Sequence, residues 1–431
     1  MAECQAMDVL QETFRRKKET IIMENKLFTR DFTLVVIGQI ISLFGNAAIR
    51  FALPLYLLNQ TGSSTLYGTV MACAFIPAIL LSPVGGLIAD RVNKRNIMVI
   101  LDFSTAGVIL LLMDHVSLVL LLTIVLMLLY GIAGAYQPAV QASIPALVSQ
   151  DGVMRANAVI NVISSFASLL GPVLGGILYS AYGLLAVLEI SIASFAASAV
   201  MEIFIRIPYR KQESAGSIIG TALGDLRESV HFSCRQKPVI GKGLLIACGI
   251  NLFMSAMIIV GLPYLITEVL PLTAGQANRL YGYAQGALAA GGVVGGISAG
   301  ALADRLQIGK AGNLLIAGAL GVFPIGFALL WLDSGMAVYM TITVCCFVIM
   351  VISTIFTVQV MSFVQTETQQ NLIGKVIAVV MTGAMCAQPL GNAMYGFLFE
   401  LCAEREAVVV LFAGIISLVI AVRAGKVFGR L

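Results

Sequence analysis

Twelve apolar runs divide this chain, and they leave few folds open to it. They cover residues 33–58, 66–88, 97–113, 117–135, 157–180, 184–205, 243–266, 280–302, 312–332, 336–359, 376–398 and 407–422. A helix needs roughly 20 largely apolar residues to cross a bilayer. Strands of a membrane barrel would alternate instead. Only Arg50, Asp102, Glu189 and Glu202 bring charge into the runs. Charged residues make up 11% of the sequence and hydrophobic ones 59%, whereas soluble domains carry about 25% charge. That excludes a cytosolic enzyme, a nucleic-acid binder and a disordered scaffold. The expected fold class is an all-α polytopic membrane protein with twelve transmembrane helices.

The basic residues orient it. With both termini in the cytoplasm, 23 of the 26 Lys and Arg lie on the inner side, and only Arg279 and Arg405 lie outside. Such a bias is what positive-inside topology requires. The expected organisation is a cytoplasmic extension (1–32), a first six-helix bundle (33–205), a central cytoplasmic loop (206–242), a second bundle (243–422) and a cytoplasmic tail (423–431). Residues 1–32 hold Arg15-Arg16-Lys17-Lys18 and no signal-like apolar core. They read either as an extension that meets anionic headgroups or as sequence upstream of a start at Met23. The eight cysteines show no metal or disulfide spacing and read as small packing residues. No Walker motif is present, so no ATP hydrolysis and no cofactor are expected.

The two halves repeat. Shifted by 214 residues, Leu66-Tyr67-Gly68 falls on Leu280-Tyr281-Gly282, Gly86 on Gly300, and Ala89-Asp90-Arg91 on Ala303-Asp304-Arg305. A weaker echo sets Pro172 over Pro389. Such parallel repeats are typical of secondary transporters. The stretch Gly86-Leu-Ile-Ala-Asp90-Arg91-Val-Asn93-Lys94-Arg95 resembles the loop 2–3 signature G-x-x-x-D-R-x-G-R-R of the major facilitator superfamily. Asn93, which tolerates left-handed backbone, stands for the second glycine. The second copy keeps Gly300, Asp304 and Arg305. The resemblance covers the chain from about residue 30. It implies two bundles rocking about a central site, with these residues as a gating latch. Simple topology, a charged hairpin held inside, is the plainer reading of the same residues.

The stretch Ala167-Ser-Leu-Leu-Gly171-Pro172-Val-Leu-Gly175-Gly176 resembles the antiporter motif G-x-x-x-G-P-x-x-G-G, with alanine first. Small residues four apart favour close helix contact, and an internal proline can bend a helix. Gly38-Gln39, Ser42, Gly45-Asn46, Thr61-Gly62-Ser63, the segment from Tyr136 to Val148 and Arg155-Ala-Asn157 complete a pattern similar to the bacterial macrolide-efflux branch. The resemblance implies a proton antiporter of a lipophilic or amphipathic drug-like compound in the bacterial cytoplasmic membrane, functional as a monomer. Siderophore and lysophospholipid transporters share the branch, and a nutrient importer is the further alternative. Met127 precedes Gly131 where classical drug exporters carry an arginine, so that arginine's proton-relay role does not transfer.

Candidate cavity residues are Gln39, Asn46 and Arg50 on helix 1, Asn161 on helix 5, Asn251 on helix 7, and Gln388 and Asn392 on helix 11. Gln39, Ser42, Asn46 and Arg50 follow steps of three, four and four, which places them on one face. A polar face is costly against lipid. Arg50 either snorkels outward or holds a fixed charge in the cavity. The candidate charge-coupling residues are Arg50 and Glu189, paired, and Asp102, in a salt link to the latch. Glu202 is expected to be solvated at the inner end of helix 6. The glycines of helix 8 are expected to pack on helix 5.

Overall fold

A computed structural model describes residues 28–113, 115–116, 118–149, 152–207, 228–229, 231–302, 305–369 and 372–429; the side chains of 82–84, 86–91, 234, 373 and 374 fall outside the description. Helix is the only regular secondary structure among the described residues. The first four helices are α1 (Arg30–Thr61), α2 (Ser64–Arg91), α3 (Lys94–Met113) and α4 (Val119–Leu147). Next comes Val153–Ile203, 51 residues with Gly183 at φ 78°, ψ −175° inside it. At 1.5 Å per residue, 51 residues would span about 75 Å, more than twice a hydrocarbon core. Gly183 divides it into α5 (153–182) and α6 (184–203). There follow α7 (Pro238–Val269), α8 (Ala274–Ala301), α9 (Ile308–Trp331), α10 (Gly335–Glu367), α11 (Ile373–Leu401) and α12 (Glu406–Phe428).

Among the described residues, ten helices are long and apolar enough to cross a membrane, with Val153–Ile203 taken once. Helix α8 is not among them: eight glycines dilute its hydropathy. Local chemistry explains the ends. Thr29 caps α1 by accepting from the Phe32 amide at 3.2 Å. Gly62, at φ 61°, closes it with its N–H on the Leu58 carbonyl at 2.7 Å. Helix α4 runs twelve residues beyond the boundary expected at 135, through Pro138 and Pro145. The extension buries Tyr136, Ala139, Val140, Ile144 and Leu147 against Phe32, Met98 and Ile160, so apolar packing offsets the donors the prolines remove.

Within the first half, α1 packs on α5–α6, α2 on α4, and α3 on both. Within the second, α8 packs on α10, α9 on α12, and α7 on α11 and α12. Two seams join the halves. At the first, α2 meets α11 so closely that a Cβ on Gly68 would lie 2.3 Å from the Asn392 carbonyl oxygen. At the second, α5 meets α8, where a Cβ on Gly176 would lie 3.1 Å from Cα of Gly282. Six hydrogen bonds cross between the halves at the end of the molecule that carries Gly62. They include Ser64 Oγ to the Gly396 carbonyl at 2.8 Å, Ser180 Oγ to the Gly275 carbonyl at 2.6 Å and Asn59 Nδ2 to Asn278 Oδ1 at 2.9 Å. That end forms a roof. Two described ion pairs at the opposite end, Lys237–Glu367 and Lys375–Glu228, each tie the central segment to the second bundle.

Candidate functional site

Beneath the roof lies a cavity of ≈ 790 Å³ between the halves, within the usual range for small-molecule sites. Helices α1, α2, α4 and α5 supply most of its wall, and Ile259, Tyr281, Gln285, Thr382 and Met385 supply the rest. Phe51 stacks on Tyr281 with centroids 4.8 Å apart, and Tyr281 accepts from Gln285 Nε2 at 2.8 Å. Tyr67 comes within hydrogen-bonding reach of Tyr281. These two tyrosines are the pair the sequence repeat superimposes. The wall is aromatic and aliphatic above, with Asn46, Gln137, Gln141, Asn161 and Ser164 on its first-half side.

Arg50 is the one charged residue among the described lining residues. Its guanidinium carbon sits 3.6 Å from the centroid of the Tyr130 ring, a contact worth about 0.5–2 kcal/mol. Glu189 is exposed on the outside of α6 and makes no ion pair with Arg50. The expected Arg50–Glu189 pair is therefore absent. The aromatic face takes up part of the cation's desolvation cost in the cavity wall.

The polar stripe on α1 divides with depth. Asn46 and Arg50 line the cavity. Gln39 and Ser42 turn into the first bundle, where both are buried. There Gln39 Nε2 donates to Tyr136 Oη at 2.7 Å, Tyr136 Oη donates to Glu202 Oε1 at 2.6 Å, and Ser42 Oγ donates to Asp102 Oδ1 at 3.3 Å. Glu202 is 0% exposed and Asp102 2%. Glu202 is thus enclosed rather than solvated, because α1 and α6 close over it. They approach through Gly38 and Gly45, whose carbonyls accept from Ser198 Oγ and Ser191 Oγ at 3.1 Å. Among the described residues, Asp102 makes no salt link to Lys94 or Arg95 of the latch. Arg95 turns instead to the Ile203 carbonyl, 3.4 Å from Nη1, which suits a cation at a helix C-terminus.

Of the other candidate cavity residues, Asn161 lines the cavity. Asn251 donates to the Ala384 carbonyl at 2.9 Å, bonding α7 to α11. Gln388 donates to Asn392 at 3.0 Å, both buried outside the cavity. The α5 motif sits where three helices meet. A Cβ on Gly171 would lie 2.2 Å from Ala47 Cβ, Gly175 faces Ala48 at 3.2 Å, and Gly176 faces α8. Ala167 and Pro172 line the cavity. In the latch, the side chains of Gly86, Asp90 and Arg91 and all of Asp304 lie outside the described residues. Lys94 opens α3, whose first turn is capped by Asn93 Oδ1 on the Arg95 amide at 3.1 Å. Asn93 is a cap, not a left-handed residue: Glu404 alone among described non-glycines has positive φ. Gly300 closes α8 in open space, and Arg305 is exposed. The bonds that hold the two buried acids are not legible in the sequence because the bonded partners lie 60 to 97 residues apart; the polar stripe on α1 is the signal available.

Long apolar helices around a central cavity with one fixed charge define a polytopic membrane protein built to enclose a small molecule. The family model of the Major Facilitator Superfamily matches residues 35–392, and the chain belongs to that superfamily. Macrolide efflux protein A of Streptococcus pyogenes is 24% identical over 181 residues, 41% of this chain and 45% of that protein. The MFS-type transporter YfiS of Bacillus subtilis is 27% identical over 230 residues, 52% and 55% of the two chains. Lysophospholipid transporter LplT of Serratia proteamaculans is 27% identical over 192 residues, 44% and 46%. The alignments thus span about half the length of these curated relatives. Two solved structures share the fold: the nucleoside transporter NupG (TM-score 0.74, 13% identity, covering 93% of this chain and 99% of that one), and a bacterial homologue of the lysosomal transporter Spinster in an inward-facing, unoccupied conformation (TM-score 0.70, 15% identity, covering 93% and 98%).

Proposed function

We propose that the protein is a secondary transporter that exports a lipophilic or amphipathic small molecule from the bacterial cytoplasm by proton antiport. The observation that carries this reading is the ≈ 790 Å³ cavity, walled by aromatic, aliphatic and amide groups with Arg50 as its described charge. A drug-like molecule with scattered polar groups suits such a wall. In this reading all twelve helical rods cross the inner membrane, as two six-helix bundles related by the sequence repeat. Both termini face the cytoplasm, and the chain works as a monomer. The roof is then the outer side, closed by the six hydrogen bonds between the halves, and the cavity opens inward. Alternating access follows from breaking the roof and closing the opposite end, to which the topology assigns the Asp90–Arg91 and Asp304–Arg305 segments.

The similarity to macrolide efflux protein A and the Gly171-Pro172-x-x-Gly175-Gly176 junction support export. The deciding experiment is efflux of a dye and macrolide panel from cells producing the protein, with and without an uncoupler. Uncoupler-sensitive efflux of at least one compound is expected; if no compound shows it, drug–proton antiport is wrong.

A second reading rests on Arg50. Its guanidinium has an aromatic partner but no carboxylate within ion-pair distance among the described residues. An anionic headgroup would supply one, as in lysophospholipid transport, the role for which LplT is named. Lysolipid movement in vesicles carrying the protein separates the two.

A further inference from the structure

We propose that Asp102 and Glu202 form a proton-binding pair, with Tyr136 bonded to Glu202 and neighbouring Asp102, placed beside the cavity rather than in it. This rests on the proton-antiport reading and names the site that would carry the proton. Two carboxylates from α3 and α6 come close enough to interact electrostatically, in the interior of one bundle. Each uses one oxygen: Asp102 Oδ1 accepts from Ser42, and Glu202 Oε1 accepts from Tyr136. The second oxygens, Asp102 Oδ2 and Glu202 Oε2, are buried with no hydrogen-bond partner, and so is Gln39 Oε1. An unpaired buried acceptor is costly, and a buried charge with no counter-ion costs far more. A proton on the pair removes a charge and gives a donor to acceptors that lack one.

Among the described residues, the groups facing the pair hold no cation. Helix α1 presents Gln39 and Ser42, α4 presents Tyr136, and α6 presents Ser198 toward Asp102. Arg95, at the start of α3, spends its Nη1 on the Ile203 carbonyl and reaches neither carboxylate. No Lys, Arg or His among the described residues lies within ion-pair distance of either acid.

A small cavity of ≈ 30 Å³, room for about one water, is lined by Ser42, Asn46, Asp102, Tyr136 and Gln137. Asn46 and Gln137 also line the central cavity. A hydronium there transfers its proton to a carboxylate oxygen: one O–H bond breaks, another forms, and neutral water remains. Tyr136, which accepts from Gln39 and donates to Glu202, lines the small cavity together with Asp102. Helix α1 couples proton and cargo. Its Gln39 and Ser42 bond within the acid network, while Asn46 and Arg50 on the same helix face the cavity. A change of charge on the pair alters the bonds holding α1, and with them the position of Arg50.

The test is infrared spectroscopy of the full-length protein in lipid nanodiscs, titrated from acid to alkaline pH. The wild type should show the carbonyl stretch of a protonated carboxylic acid, lost as pH rises. D102N and E202Q should each remove or displace that band, and Y136F should displace it while both acids remain. Circular dichroism and size-exclusion profiles identify a variant that has failed to fold, and Y136F then carries the test. A pH-dependent band unchanged in all three variants overturns the proposal. So does a response of the wild-type carboxylates to sodium or calcium chloride at constant pH, which makes the pair a metal-cation site. Erythromycin efflux from cells separates the two claims. Uncoupler-sensitive efflux that D102N and E202Q leave intact overturns the pair while antiport stands. The expected band, with no uncoupler-sensitive efflux of erythromycin or the dye panel, upholds the pair while antiport falls.

Discussion

At the scale of single residues, Arg50 carries the sharpest consequence. It is a cation in an apolar wall, stacked on Tyr130 at 3.6 Å. If the cargo is anionic, R50A removes a charge-assisted contact worth about 1.5–3 kcal/mol, about 10- to 150-fold in affinity. R50K should restore part of it, since Lys keeps the charge but loses the planar fork. For a neutral or cationic drug, R50A should leave affinity within a few-fold. Competition binding with lysophosphatidylethanolamine and erythromycin on the purified protein tells these cases apart. The residue scale also shows the limit of periodicity. Gln39, Ser42, Asn46 and Arg50 share a helix face, yet half of that face is covered by α3, α4 and α6 and half is wet. One helix face crosses two environments because α3, α4 and α6 cover its Gln39–Ser42 end while the cavity adjoins its Asn46–Arg50 end.

Among the elements, α5 and α6 are joined by one glycine instead of a loop. Gly183, at φ 78° and ψ −175°, occupies backbone space open almost only to glycine. A Cβ there would meet nothing within 4 Å, so the cost of G183A is backbone strain, about 1–3 kcal/mol. Thermal unfolding in detergent should show a lower midpoint, with efflux near wild type at growth temperature. An unchanged midpoint would mean the turn has relaxed into another conformation. The sequence placed the boundary between these helices at 181–183, because the apolar run was too long for one span. It placed the end of α4 too early. Prolines are strong helix breakers in water, but the packing of residues 136–147 in the first bundle holds them helical.

For the whole molecule, the closed roof and the open cavity make a directional claim. The hydrogen bonds that lock the halves together are at one end, so a side chain in the cavity should be reached from the other. A cysteine at Ser164, which lines the cavity, should react with a membrane-impermeant maleimide from the face bearing the basic loops. Inside-out and right-side-out vesicles of S164C, with native cysteines replaced, measure this. Faster labelling from the opposite face would invert the assigned orientation. Equal labelling from both faces would mean that the roof opens as often as it closes.

The sequence alone determined the class of this protein. Forty-four of its 48 charged residues lie outside the apolar runs, and a chain of that pattern can satisfy its backbone in lipid only as helices. The family was legible too, in Asp90, Arg91 and the glycines of α5, because those constraints act over a few residues. The site was legible only in part. Asn46, Arg50 and Asn161 line the cavity, whereas Gln388 donates to Asn392 away from it. The tertiary structure decided which polar groups face water and which face one another. It alone brought Asp102, Tyr136 and Glu202 together from three helices. Burial and partnership depend on packing across the bundle, and spacing along one helix carries no information about what stands opposite.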